Sequence, residues 1–393
     1  ELPFKKPRVT FADTGKLLGS PWKFKPAGEM GIPVSELFPN VAQCVDDICF
    51  LHSVHGTNSA HGGALLKLHT GSDNFVRPSM GSWVTYGLGT ENQNLPGFVT
   101  ICPTLAHGGV KNWGSAFLPA HYQGTPLGVA SQPSTNAKVK YAKNGWTSAS
   151  VQRRQLDMLN EINREHLAQA GPELDLEARI SSFELAFRMQ LEATDVLDIS
   201  HEPKSIHKLY GTDKLHGRQM LMARRLIEAG ARFVVVDYGY DSDYGNIWDN
   251  HNAASQNHPP IQDMIRRGYH LAGLDKAFAA LINDMDQRGM LKRTLVVFLT
   301  EFGRTPKINA NGGRDHWGAA GSIFVTGGGV NTGQVIGATD KNGASVTTRP
   351  YSPADIAATM YQSLGIDHHA MVNDYQGRPR RILEEGNPVP ELY

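Results

Sequence analysis

The segment that most constrains this chain runs from Thr294 to Trp317. Thr-Leu-Val-Val-Phe-Leu-Thr (294–300) is a continuous apolar run rich in β-branched residues, and it leads into Glu301-Phe-Gly-Arg-Thr-Pro306 and then Gly313-Arg-Asp-His-Trp317. A run of this kind is expected for a central parallel strand covered on both faces. Glu301 then falls in the crevice beyond the strand's carboxyl end, where open α/β sheets seat their ligands. Gly303 and Pro306 forbid a simple continuation of strand or helix, so Glu301, Arg304, Asp315 and His316 are expected in one long loop. A carboxylate, a guanidinium and an imidazole gathered there suit a metal ion or an oxyanion.

Arg232-Phe-Val-Val-Val-Asp237 is a second run of the same type, and a helix from Ile261 to Arg288 returns the chain to Thr294. The pattern predicts strands 232–237 and 293–299 in one mostly parallel sheet, joined by a right-handed βαβ crossover. Ser322–Thr326 reads as a third core strand, with shorter strands at Ile48–Val54 and Phe98–Cys102. Helices are expected at Gly62–His69, stopped by Gly71, and at Pro353–Leu364. Residues 103–147, rich in Gly, Pro, Ser and Asn, read as surface loops. From Val151 to Ala229 the period is helical: Leu156, Leu159, Ile162 and Leu167 form one stripe, and Ile180, Phe183, Leu185, Phe187 and Leu191 another. Residues from about 151 to 230 therefore read as a helical insert or cap within a single domain spanning 1–393.

Lys plus Arg and Asp plus Glu are both 38, so the formal charge is zero and neither nucleic acid nor an anionic membrane is an expected partner. No apolar run approaches the roughly 20 residues that span a bilayer. Cys44, Cys49 and Cys102 allow one disulfide at most and lack zinc-type spacing; Cys102 ends a strand with no evident base beside it. Arg153-Arg154 and Arg224-Arg225 read as solvated helix faces, and Gly327-Gly-Gly329 as a turn.

Sixteen histidines exceed what packing requires, and some of them stand beside carboxylates. Trp248-Asp-Asn-His251 sets a carboxylate and an imidazole two residues apart, able to chelate one divalent ion. Taken alone, the pair better fits an Asx turn with His251 in solvent; Glu301 and His316 at neighbouring strand ends reverse this in favour of the metal. Asp315 and His316 are consecutive, so their side chains diverge: His316 is the candidate ligand, and Asp315 either orients an imidazole or pairs with Arg314. His52, His55, His61 and His69 form a third group. His61 opens a helix, where free N–H groups favour an anion. His52 and His69 read as structural.

Together with Arg77-Pro-Ser-Met-Gly-Ser-Trp-Val-Thr-Tyr-Gly87 and Gly337-Ala-Thr-Asp340, these motifs resemble the sulfatase-like domain-of-unknown-function family 1501, a branch of the alkaline phosphatase superfamily. The resemblance covers nearly the whole chain. It implies a three-layer α/β/α sandwich with metal ligands on loops at the strand ends: Asp249 and His251 for one metal, Glu301 after the next strand, and His316. His61-Gly-Gly-Ala-Leu-Leu-Lys-Leu-His-Thr-Gly71 is similar in spacing to the sulfatase segment that begins with the nucleophilic cysteine. His61 occupies that position, so formylglycine chemistry is not expected, although histidine can bind metal or attack phosphorus. Related chains open with an export signal and a strand bearing a metal motif. That strand is not visible here, and Asp13, in a later loop, does not replace it.

The expectation is an exported, periplasmic or cell-surface, metal-dependent hydrolase of phosphate or sulfate esters. Asp249, His251, Glu301 and His316 are the expected ligands, and His61 and Arg304 the catalytic groups. Asp315 and His55 would support them. Zinc suits the donors best, with manganese or calcium as alternatives. The substrate would be a small-molecule or glycan ester, and a homo-oligomer or assembly with the amino-terminal segment is an expected partner. The competing reading is a non-catalytic surface or assembly protein on the same fold. A mutase is disfavoured, because no further phosphate-handling motif is apparent.

Overall fold

The computed structural model describes residues 14–17, 19–138, 145–171, 173–237, 241, 243–244, 248–268 and 270–393. Asp13 and the side chain of Leu191 lie outside the described set. The strands that frame the site are β1 (Cys49–Val54), β2 (Phe98–Ile101), β3 (Thr125–Leu127), β4 (Phe233–Val236), β5 (Leu295–Phe298), β6 (Gly321–Gly327) and β7 (Gln334–Ile336). The main helices are α1 (His61–Thr70), α2 (Met80–Leu88), α3 (Ala149–Ala170), α4 (Leu174–Leu197), α5 (Lys204–Tyr210), α6 (Leu215–Glu228), α7 (Leu271–Gln287) and α8 (Pro353–Ser363). The chain is an α/β protein with a parallel sheet.

Among the described residues these strands form two sheets. One has the order β3-β2-β4 and is entirely parallel; the other has the order β7-β1-β6-β5, with β6 antiparallel to both neighbours. The strands expected to share a sheet, 232–237 and 293–299, are therefore edge strands of separate sheets, and no βαβ crossover joins them. Both are half-buried along their length. The apolar run of β5 is explained by its faces: Val296 and Phe298 pack on one core cluster, Leu295 and Val297 on the other. Such a run reports cover on both faces and carries no information about which neighbour, in which direction, occupies each hydrogen-bonding edge.

β1 shows the same two-sidedness. Phe50 joins the core that contains α6 and α7, while Cys49 and Leu51 join the one that contains Ile356 of α8 and the carboxyl-terminal Val389 and Leu392. The register opposes Phe324 to Phe50 and to Phe298. Their rings meet at 4.9 Å and 5.2 Å, and Phe278 of α7 closes the stack 5.5 Å from Phe298. Phe50 and Phe278 are buried, and fully burying such a ring contributes about 1.5–3 kcal/mol.

Two helical expectations change. The helix read from Ile261 to Arg288 is a single turn, Ile261–Met264, followed by α7. Arg224 is not on a solvated face: it is 1% exposed and ion-paired to Glu202 (2.8 Å), Asp284 (3.0 Å) and Glu228 (2.5 Å), while Tyr210 donates to Asp284 (2.9 Å). Arg153 likewise pairs with Glu184 at 2.6 Å. A charge pattern on one helix does not reveal acidic partners on α4, in the turn before α5, and on α7. Residues 151–229 are helical as expected, divided into α3 to α6 with a 3-10 turn, and α8 opens with a Ser352/Asp355 capping box.

Candidate metal centre

Four chain segments converge. Leu299 and Thr300 follow β5, and Glu301 comes next, in the space beyond the strand. The stretch expected to be one loop is instead pinned: Gly303–Arg304 pairs antiparallel with His316–Trp317, setting His316 opposite Arg304. A Cβ on Gly303 would lie 2.2 Å from the Ala320 carbonyl oxygen, so only glycine permits this approach. On the far side, His61 is the first residue of α1, and Gly71 ends that helix in a left-handed conformation, φ 77°. The loop before α1 is tied to the pinned stretch, since Gly318 N–H donates to Ser59 Oγ (3.0 Å) and Gly56 N–H to the Gly318 carbonyl (2.8 Å).

The fourth segment carries Trp248-Asp-Asn-His251. Gln256 staples it, accepting from His251 N–H (2.8 Å) and donating to the Asp249 carbonyl (2.6 Å). Asn309 joins it to the pinned stretch through its Nδ2, which donates to the His251 carbonyl (3.1 Å) and to Asp315 Oδ1 (3.0 Å). A Cβ on Gly313 would sit 2.0 Å from the His251 carbonyl oxygen. The glycine at that position is what lets the two loops touch.

Three imidazoles are oriented in the same way. His61 Nδ1 donates to Glu301 Oε1 (2.6 Å), His251 Nδ1 to Asp315 Oδ1 (3.0 Å), and His316 Nδ1 to the Ser59 carbonyl (2.8 Å). Carboxylates and carbonyls only accept, so each Nδ1 carries a proton and each Nε2 is left to face inward. All three Nε2 atoms point at Asp249: His61 lies 3.0 Å from Oδ2, while His251 and His316 lie 3.1 Å and 3.0 Å from Oδ1. His61 Nε2 is buried and, despite its closeness to Oδ2, is not aligned for a hydrogen bond. His61, Asp249 and His316 form a group able to hold a metal ion, each offering one atom within 4.8 Å of the others.

Charge in the cluster is lopsided. Burial pushes the Asp249 carboxyl up, but His251, His316, His61 and Arg304 overcome it and hold it far below the usual carboxylate range. Burial opposes a charge on His61, yet Asp249 and Glu301 on its two sides raise it to about 9. Asp249 raises His251 as well. Burial also works against the Glu301 charge, and His61 holds its pKa low. Arg304 donates through one terminal nitrogen to Asp249 Oδ1 (2.6 Å), while its Nη1 is buried without a partner. That N–H group is placed to meet an anion.

The profile of the family described as "Protein of unknown function (DUF1501)" matches residues 1–393. The chain belongs to the DUF1501 family. No curated protein matches it. Two crystal structures of Ps i-CgsB resemble this DUF1501 chain weakly. The complex with k-i-k-neocarrahexaose has a TM-score of 0.38 at 11% identity, and the other structure 0.37 at 12%; each comparison covers 84% of this chain and 67% of theirs.

Within the DUF1501 chain, the structure brings Asp249, His251, His316 and His61 together directly. Glu301 reaches the cluster through His61, and Asp315 through His251. His55 does not join them: its Nδ1 lies 3.2 Å from the Ala319 carbonyl oxygen. Asp315 accepts from His251 and Asn309, and the Arg314 guanidinium donates to the Thr305 carbonyl (2.6 Å). Three residues were not singled out in the sequence: Asn309, the hub of the pinned stretch; Phe302, whose ring lies 5.0 Å from His61 and 4.5 Å from His316; and His107, 4.6 Å from the His61 ring. His107 had a signal available, a histidine before Gly108-Gly109 just beyond the end of a strand, the same placement as Glu301.

Proposed function

We propose that this DUF1501 chain is a metal-dependent hydrolase of phosphate or sulfate esters, built on the three-layer α/β/α sandwich of the alkaline phosphatase superfamily. The observation that carries the reading is the convergence of three Nε2 atoms on one carboxylate, each imidazole tied at Nδ1 by an oxygen acceptor. Histidines that ligate metals are oriented in this way by a partner at the other nitrogen. Separations of 3.0–3.1 Å between the His251, His316 and Asp249 atoms are close to the edge, about 3.3 Å, of a tetrahedron with bonds of ~2.0–2.1 Å, and nitrogen with carboxylate donors suits zinc.

His61, Asp249 and His316 would hold the ion, with His251 beside Asp249 and His316 as a further donor, and Glu301, Asp315 and the Ser59 carbonyl would fix the rings. When bound, a divalent ion supplies Lewis acidity toward an ester oxygen and lowers the pKa of a water. Arg304, anchored by Asp249, offers its unpartnered Nη1 to the anionic group, and the Phe302 ring packs against both His61 and His316. The sandwich is supported by β1, whose alternate residues enter cores lined by helices on opposite faces.

Among the described residues no helix is long and apolar enough to cross a membrane. Export belongs to this proposal through the family resemblance, and cell fractionation checks it. Elemental analysis of the purified protein, with a screen of aryl phosphate and sulfate esters, tests the function. Bound zinc with turnover of either ester class is expected; no metal and no turnover would leave the non-catalytic reading.

A further inference from the structure

We infer that His107 is a substrate-binding residue, set on the solvent side of the cluster to donate a hydrogen bond to the anionic group of an ester. The inference rests on the hydrolase reading above. β2 ends at Ile101, and the chain turns at once through Cys102, whose φ of 51° is left-handed. The loop that follows is anchored at its base, where Thr104 N–H donates to Asp237 Oδ2 (2.7 Å). At its tip, Gly109 N–H donates to the Ala106 carbonyl (3.1 Å) and Asn112 Nδ2 to the His107 carbonyl (3.2 Å).

These contacts hold His107 at φ 52°, followed by Gly108 at 101° and Gly109 at 52°. Glycine adopts such a backbone freely, and a histidine there is strained. Packing does not account for its presence, because the residue is exposed. Its ring nonetheless reaches back over the cluster, 4.6 Å from the His61 ring and tilted by 38°. Among the described residues neither ring nitrogen has a hydrogen-bond partner. An exposed imidazole with an uncommitted N–H, held in a strained loop against the residues that converge on Asp249, is where a ligand entering from solvent would be met. Together with Arg304 Nη1 from the inner side, it would grip an oxyanion at two points.

The test is calorimetric titration of inorganic phosphate and inorganic sulfate into zinc-loaded protein, comparing wild type with His107→Ala, His107→Gln and His107→Gly. The alanine variant is expected to keep its zinc and to bind the preferred anion about 3- to 10-fold more weakly, the loss of one hydrogen bond. Glutamine, which retains an N–H donor, should recover part of that affinity. Glycine should lose affinity like alanine while raising the thermal midpoint, since it relieves the backbone. Anion binding by His107→Ala equal to wild type overturns this inference alone, as does loss of zinc in that variant. Zinc-loaded wild type that binds neither anion overturns both this inference and the hydrolase reading.

Discussion

His251 Nε2 and His316 Nε2 face each other at 3.0 Å, and both stand against the same oxygen, Asp249 Oδ1. With each Nδ1 engaged elsewhere, both Nε2 atoms turn toward one carboxylate oxygen, an arrangement that a proton or a metal cation between them satisfies. The orienting acceptor should then control affinity. Asp315→Ala frees the His251 ring, and zinc affinity measured by chelator competition is expected to fall about 10- to 100-fold with the circular dichroism spectrum unchanged. Unaltered affinity would remove Asp315 from the site.

His61 stands between Glu301 and Asp249. His61→Ala should reduce turnover of whichever ester the wild type cleaves by at least about a hundredfold, with the fold intact. Steady-state kinetics settles this, and unchanged turnover would exclude His61 from the mechanism.

Gly313→Ala places a methyl group 2.0 Å from the His251 carbonyl oxygen. The clash is with backbone, which cannot swing aside as a flexible side chain does. We expect a loss of about 1–3 kcal/mol in urea denaturation, together with weaker metal binding, because the two loops that carry His251 and His316 must part.

Arg224, 1% exposed, pairs with both Glu202 and Asp284, while the less buried Arg225 pairs with Glu202 and Arg288 with Asp284. Arg224→Ala leaves those carboxylates undercompensated, and a loss of about 3–5 kcal/mol is expected by denaturant titration. Arg224→Lys should rescue only part of it, since an ammonium cannot span three acidic partners in a fixed plane.

Burial pushes the imidazoles of His216 and His270 down to about 3 and about 4. In the unfolded chain each titrates near 6.5, so between about 4 and 6.5 the unfolded state holds protons that the folded state does not. The stability due to these histidines is full above that window and falls as pH falls through it, by about 1.4 kcal/mol per pH unit for each. His270 stacks on Trp248 at 3.8 Å with both ring nitrogens buried and unpartnered. His270→Phe should preserve the stack and flatten the acid limb of a stability-against-pH curve by one proton's worth. An unchanged limb would show that His270 is not buried neutral.

The sequence by itself determined the elements: the apolar runs at 232–237, 294–300 and 322–326, the helix at Gly62–His69 stopped by Gly71, and the helix at Pro353–Leu364 are local patterns whose causes lie within a few residues. It also determined which polar residues lie beyond strand ends, because Glu301 and His316 are placed by chain connectivity. Only the tertiary structure decided strand neighbours, since the edges of β4 and β5 carry no side-chain signature and the same apolar run serves a central or an outer strand. It alone decided that Arg224 is buried, because the acids that permit this come from the turn before α5, from α6 and from α7. Likewise, that Asp315 orients His251, that Glu301 reaches the cluster through His61, and that His107 arches over it are contacts between segments distant in the chain. Side-chain direction across such a gap is set by packing, which no local pattern encodes.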